Sequence, residues 1–170
     1  MARFEFIVYL LAALLIAGLY MAIKRAKMNR LIKNNRMTNA QNFWLGVETS
    51  IAISDEGLIG AVNFKLETLI IDIKDIVEFE LLLSKYCIAN AKASKNEGLI
   101  FGGISGRLRP VLEEEKLKEM AFIVVLKNDK VFAINLYKGF RPKKLSGEKQ
   151  KTITRLFDTL EAAERKRKGK

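Results

Sequence analysis

Residues Phe6 to Ile23, FIVYLLAALLIAGLYMAI, are eighteen consecutive positions without a charge, and KRAKMNRLIKNNR (Lys24–Arg36) follows with six Lys/Arg and no acid. Coiled as a helix, the first stretch is about 27 Å long at ~1.5 Å per residue, close to the ~30 Å hydrocarbon core of a bilayer. Hydrocarbon offers the backbone no partners, so a crossing segment must pair its own N–H and C=O groups along a helix. The flanking charge sets direction, because Lys/Arg-rich ends stay on the cytoplasmic side. On the other flank Arg3 and Glu5 cancel. The expectation is a transmembrane anchor over residues 1–23, with the N-terminus outside and the remaining mass in the cytoplasm. A cleaved signal peptide is the main rival reading, and a buried core helix the third. Signal peptides carry their positive charge before the apolar run and a small-x-small cleavage site after it. Here the charge follows the run, and Gly18-Leu19-Tyr20-Met21-Ala22 offers no good pair of small residues.

The net charge of +11 first suggests nucleic acid, but its distribution argues otherwise. Residues 37–140 hold 12 Lys/Arg against 14 Asp/Glu, whereas residues 141–170 hold 11 against 4. The folded middle is slightly acidic, it carries no recognition motif, and no nucleic-acid partner is expected. Basic clusters beside a membrane are drawn to anionic head groups at roughly 1 kcal/mol per Lys/Arg near the surface. Lys24, Arg25, Lys27, Arg30, Lys33 and Arg36 are therefore candidate anionic-lipid contacts, with a pure topology signal as the plainer reading of the same residues.

What is missing limits the chemistry. There is no histidine, and the one cysteine, Cys87, allows neither an internal disulfide nor a multi-Cys metal site. It lies in the apolar run Leu81–Ala91, where a small buried hydrophobe is the ordinary expectation. No GxxxxGK[ST] or GxGxxG pattern occurs. The expected role is non-enzymatic, with no metal and no cofactor.

Residues 24–42 read as a basic juxtamembrane helix, a polar stalk, ending in the linker Met37–Asn42. From Phe43 the texture turns to β: short apolar or β-branched runs broken by turn signals. WLGVETSIAIS (Trp44–Ser54), Asp55-Glu56-Gly57 and LIGAVNF (Leu58–Phe64) read as strand, hairpin turn and strand. Leu69–Ile71 and Ile76–Leu81 give further strands around Asp72–Asp75; in the second, Ile76, Glu78 and Glu80 alternate with Val77, Phe79 and Leu81, the pattern of a strand with one wet face. Met120–Lys127 and Val131–Leu136 flank another tight turn, Asn128-Asp129-Lys130. The period then changes to 3.6: Ile153, Leu156, Phe157, Leu160 and Ala163 share one face of a terminal helix, with Ser146 as its N-cap.

Short antiparallel strands followed by one amphipathic helix give an α+β class. The order resembles a pleckstrin-homology (PH)-like barrel or sandwich capped by its C-terminal helix. ISDEGLIG (Ile53–Gly60) and IDIKDIVEFEL (Ile71–Leu81) are similar to strand-turn-strand portions of bacterial PH-like domains, and EGLIFGGISG (Glu97–Gly106) to a glycine-rich apolar insert in some of them. The resemblance covers residues 43–163, leaving residues 164–170 as a basic tail. It implies a binding and scaffolding role at the bacterial inner membrane and brings no catalytic residue.

Within the glycine-rich segment, two expectations compete, with a phosphate-binding nest for a soluble nucleotide as a third. One is a loop whose apolar residues pack on the domain. The other is a contact loop in which Leu99, Ile100 and Phe101 dip into a bilayer or partner while Arg107 and Arg109 pair with phosphates or acids. Pro110 with Glu113-Glu114-Glu115 reads as the start of a short helix. Trp44 is expected in the core or at an interface. The partners expected are thus the membrane with its anionic lipids and an unidentified protein; a homo-oligomer is left open. A structural subunit of a larger membrane complex is the alternative, since Ala13 and Ala17 make a small-xxx-small face along the span.

Overall fold

A single helix, α1 (Ala2–Asn34), carries the apolar run and continues through the basic stretch without a break. At ~1.5 Å per residue its 33 residues extend about 50 Å. The computed structural model describes residues 2–84, 86–92 and 99–169. Residues from Glu5 onward form a helix long and apolar enough to cross a membrane, with mean hydropathy 2.5 and none of its apolar window buried by the rest of the chain.

Two antiparallel sheets follow. The first runs β1 (Gln41–Trp44), β2 (Ser50–Ile53), β3 (Leu58–Val62) and β4 (Thr68–Asp72), paired in that order as a meander. A 3-10 turn (Ile73–Asp75), capped by the Asp72 carboxylate accepting from the Lys74 N–H, leads to the second sheet. That sheet holds β5 (Ile76–Leu83), β6 (Tyr86–Lys92), β7 (Leu117–Leu126) and β8 (Val131–Lys143) in the order β6-β5-β7-β8. No ladder joins the sheets among the described residues, so the expected barrel or sandwich is an open two-sheet sandwich. Helices α2 (Ile104–Glu114) and α3 (Gly147–Lys168) complete the chain.

The expected strand Trp44–Ser54 is split. Gly46, at φ +88°, turns the chain between β1 and β2, and the Leu45 N–H donates to the Thr49 carbonyl at 3.1 Å. The two expected hairpin turns are present: Gly57 at φ +83° between β2 and β3, and Asp129 at φ +60° between β7 and β8. In β5 the expected alternation slips. A register shift against β7 between Ile76 and Glu78 puts both Ile76 and Phe79 in the core, so the wet face begins only after it. Pro110 lies inside α2 instead of opening it. The helix begins at Ile104, behind Gly103 at φ +68°, because Ile104, Leu108 and Leu112 form a buried i, i+4, i+8 face. The core burial expected of Cys87 concerns a side chain outside what is described of β6, and the start of the glycine-rich segment, Glu97-Gly98, lies outside the described residues.

Two cores hold the molecule. The larger lies between the sheets and under α3, around Phe79, which meets Phe101, Phe122 and Phe157 at ring distances of 5.2, 6.1 and 6.1 Å. Ile153, Leu156, Phe157, Leu160 and Ala163 of α3 are all buried in it, and the Ser146 hydroxyl caps the helix as expected. The smaller core sits on the outer face of the first sheet. Met28, Leu31 and Met37 pack there against Ala52 and Val62, so residues 24–37 are docked on the domain and do not form a free-standing stalk. Gly60 makes the close approach feasible, because any Cβ there would collide with the Leu31 side chain. The stretch expected as a separate basic tail is the last turn of α3, with Glu164 fully buried beneath it.

Candidate membrane-proximal site

Because α1 lies along the first sheet, the sandwich has two distinct ends. Near Tyr20 and Lys24 stand the β1–β2 turn (residues 45–49) and the β3–β4 turn (residues 63–67). At the far end lie the β2–β3 turn and the 3-10 turn, where Thr38, four residues past α1, donates to Glu56 at 2.7 Å. The near end is therefore the one beside the apolar half of α1.

Here the helix is held by its polar atoms as well as by packing. Lys24 has no exposed surface, and its ammonium donates to the Val47 carbonyl at 2.8 Å and the Gly46 carbonyl at 3.4 Å. Lys27 donates to the Leu66 carbonyl at 2.9 Å, and the Arg25 guanidinium stands 5.5 Å over the Trp44 ring. The Tyr20 hydroxyl donates to the Phe64 carbonyl at 2.8 Å, and the two rings are 5.8 Å apart. Turn carbonyls carry partial negative charge and have no ladder partner, so a buried ammonium satisfies them while they satisfy it.

The six cations expected to line the lipid surface thus divide. Lys24, Arg25 and Lys27 are committed to the domain. Arg30, Lys33 and Arg36 are exposed further along the helix, away from the apolar half.

The expected contact loop divides as well. Ile100 and Phe101 are buried, Leu99 is half-buried, and only Arg107 and Arg109 face solvent, from α2. The segment is held inward by two carboxylates of α3. Glu164 accepts from the N–H groups of Ile100 and Phe101 at 2.8 and 2.9 Å, and Glu161 accepts from the Gly103 N–H at 2.9 Å. The Gly103 N–H, helped by Arg165 and opposed by burial, holds the Glu161 carboxyl below the usual range. Ile100 and Phe101 therefore cannot reach a bilayer without breaking the main core; the packed-loop expectation is the one observed.

Sequence reasoning passed over the groups that the near end does expose. Val47 and Phe64 tip the two turns, and a cleft of about 530 Å³ runs from Glu48, Asn63 and Lys65 to Phe132, Asn135 and Lys138 of β8. Beyond Lys138 comes Gly139-Phe140-Arg141, with Phe140 97% exposed. YKGFRPKK (Tyr137–Lys144) sets two aromatics among cations, and β8 runs on through it to Lys143, past the expected end at Leu136.

No protein-family description, curated protein or solved structure matches this chain.

Proposed function

We propose that this chain is a single-pass membrane protein whose cytoplasmic domain, PH-like in kind, binds a protein partner, anionic lipid or both at the bacterial inner membrane. The observation that carries the reading is the continuity of α1. One half of the helix is apolar on every side and uncovered, and the other half is built into the domain. The open sandwich with α3 packed on its core supports the PH-like part. Tethering supplies the mechanism: an anchored domain is confined to a thin layer above the bilayer, which raises its effective concentration toward other membrane components. Because the anchor docks rigidly, one end of the domain stays toward the lipid and the other toward the cytoplasm.

The test is a pair of fusions behind Lys170. A reporter that works only in the cytoplasm should be active, and activity of a periplasm-only reporter would overturn the orientation. The alternative, a non-catalytic subunit of a larger membrane complex, draws on the exposed face of the span, where nothing lies within 4 Å of the Gly18 Cβ position. Co-purification of stoichiometric partners in mild detergent distinguishes it from a lone tether.

A further inference from the structure

Two turns and the end of β8 meet at the near end of the sandwich, and their exposed side chains share one character. Outside α1, the described residues include four large hydrophobic side chains that are exposed: Val47 at 53%, Phe64 at 57%, Val131 at 60% and Phe140 at 97%. Three of the four belong to this end. Phe64 touches Tyr20, and the Val47 carbonyl binds Lys24. Phe140 joins them through neighbours. Its neighbour Tyr137 supplies the link, since a Cβ added at Gly139 would collide with the Tyr137 ring. Lys149 stands 5.2 Å over that ring, and its ammonium lies 3.8 Å from where a Cβ on Gly46 would be.

Charge is arranged to match. At the far end four cations are paired: Lys166 with Asp55 at 2.9 Å, Arg167 with Asp72 at 3.3 Å, Lys74 with Asp72 at 3.0 Å and Lys127 with Asp75 at 3.9 Å. At the near end Lys65, Lys138, Arg141, Lys143 and Lys144 are exposed, and none has a carboxylate within 4 Å among the described residues. Acids stand among them too, with Glu119 opposite Lys138 across the β7–β8 ladder. Glu67 accepts from Asn63 at 2.6 Å, and Glu48 lies in the cleft. The β8 end therefore presents four exposed cations, Lys138, Arg141, Lys143 and Lys144, within seven residues.

Depth follows from α1. If the bilayer's hydrocarbon ends near Ile23, Tyr20 sits about 4.5 Å inside that boundary at ~1.5 Å per residue. A ring in contact with Tyr20 must then lie at the head-group level or below it. We propose that this end of the domain is a second membrane contact: Val47, Phe64 and Phe140 enter the head-group/acyl boundary of an anionic bilayer beside the span, while Lys138, Arg141, Lys143 and Lys144 meet lipid phosphates. Apolar side chains on one face with cations around them are what an interfacial element requires. The proposal rests on reading α1 as a span and moves the lipid contact from the helix cations to the β turns and the end of β8.

The test uses the full chain with Trp44→Phe and one new tryptophan at a time: Phe64→Trp, Phe140→Trp, or Val131→Trp at the start of β8. Each protein is placed in nanodiscs of phosphatidylglycerol and phosphatidylcholine, with or without bromines on the upper acyl chain. Residue 131 follows the β7–β8 turn, which meets the far end where the Lys127 N–H donates to the Asp75 carbonyl at 2.8 Å, about 23 Å along a strand from Lys138, and serves as the remote control. Tryptophans at 64 and 140 should lose about half of their emission or more to brominated lipid, since interfacial groups sit ~5–10 Å deep. The tryptophan at 131 should keep its emission. No quenching at 64 or at 140, or equal quenching at 131, overturns the contact; an unquenched 140 would mean that this aromatic serves a protein partner. Alkaline carbonate extraction of the same membranes separates the two readings. Retention with no quenching defeats only the second contact, whereas release removes the span and the contact with it.

Discussion

The two halves of α1 share a backbone and differ in everything else. From Phe6 to Leu19 almost every side chain is exposed, Leu15 and Ile16 at 74% and 70%, and no part of the chain covers them. From Lys24 to Asn34, Met28 and Leu31 are buried on one side and a lysine is buried with them. The first half is apolar all round, which suits a solvent that is itself apolar. The second has a narrow apolar stripe, which suits one neighbour. One continuous helix thus presents two kinds of surface, one uncovered and apolar all round and one fitted to a single protein neighbour. The junction, around Tyr20 to Lys24, is where the domain is bolted to it.

Substitutions in each half sharpen the contrast. Phe157→Ala sets the scale for the main core and should cost about 3–5 kcal/mol. Leu31→Ala should cost about 2–5 kcal/mol if the second core is an integral part of the fold, and Leu14→Ala should leave domain stability unchanged. Chemical denaturation of the detergent-solubilised chain measures all three. Equal effects at positions 31 and 14 would mean that the docked half is not docked.

A second contrast, between two apolar loops, explains what could be read in advance. The hairpin turns at Gly57 and Asp129, the 3.6-residue stripe of α3 and its Ser146 cap were legible because each is a local pattern. The fate of Leu99–Phe101 was not. Glycines, apolar residues and arginines in one stretch fit a membrane loop equally well, and the carboxylates that hold the loop inward come from Glu161 and Glu164, some 60 residues later. Lys24 was misleading for the same reason: its carbonyl partners lie more than 20 residues away. Met28, Leu31 and Ile32 do fall at i, i+3 and i+4, but among six cations the stripe was too short to stand out. The candidate site was less legible than the fold, since it is assembled from turns that are distant in sequence.

The latch gives the next test. Glu164→Ala leaves two buried N–H groups unpaired, each at about 1–3 kcal/mol, and should free the segment around Phe101. Faster amide exchange at Ile100 and Phe101 would report the release; unchanged exchange would mean the core alone holds the loop. Glu161 adds a pH dependence. Its folded pKa is depressed, so its contribution is present above the ordinary glutamate range and is lost as pH falls through the lowered folded value. Protection of the Gly103 amide should weaken in that acid window, and Glu161→Gln should flatten the response.

The smallest stability effects bear directly on the junction. Lys24→Met keeps the apolar stem and deletes the ammonium, so the carbonyls of Val47 and Gly46 lose their buried donor. One unsatisfied buried group costs about 1–3 kcal/mol, and the turn can recover part of that by admitting water. Arg30→Gln and Lys33→Gln remove charge from exposed positions of the same helix and should stay within about 0.5 kcal/mol. If all six cations served only as a topology signal, the three variants would be indistinguishable in stability and would differ only in membrane orientation. If Lys24 is instead a structural bolt, its variant alone should loosen the turn, and Val47 should show it first. Backbone exchange at residues 45–49 in Lys24→Met, compared with Lys33→Gln, decides between them. Faster exchange in the first and none in the second keeps the bolt; identical exchange removes it, and the fixed orientation of the domain on its anchor would then rest on Met28 and Leu31 alone.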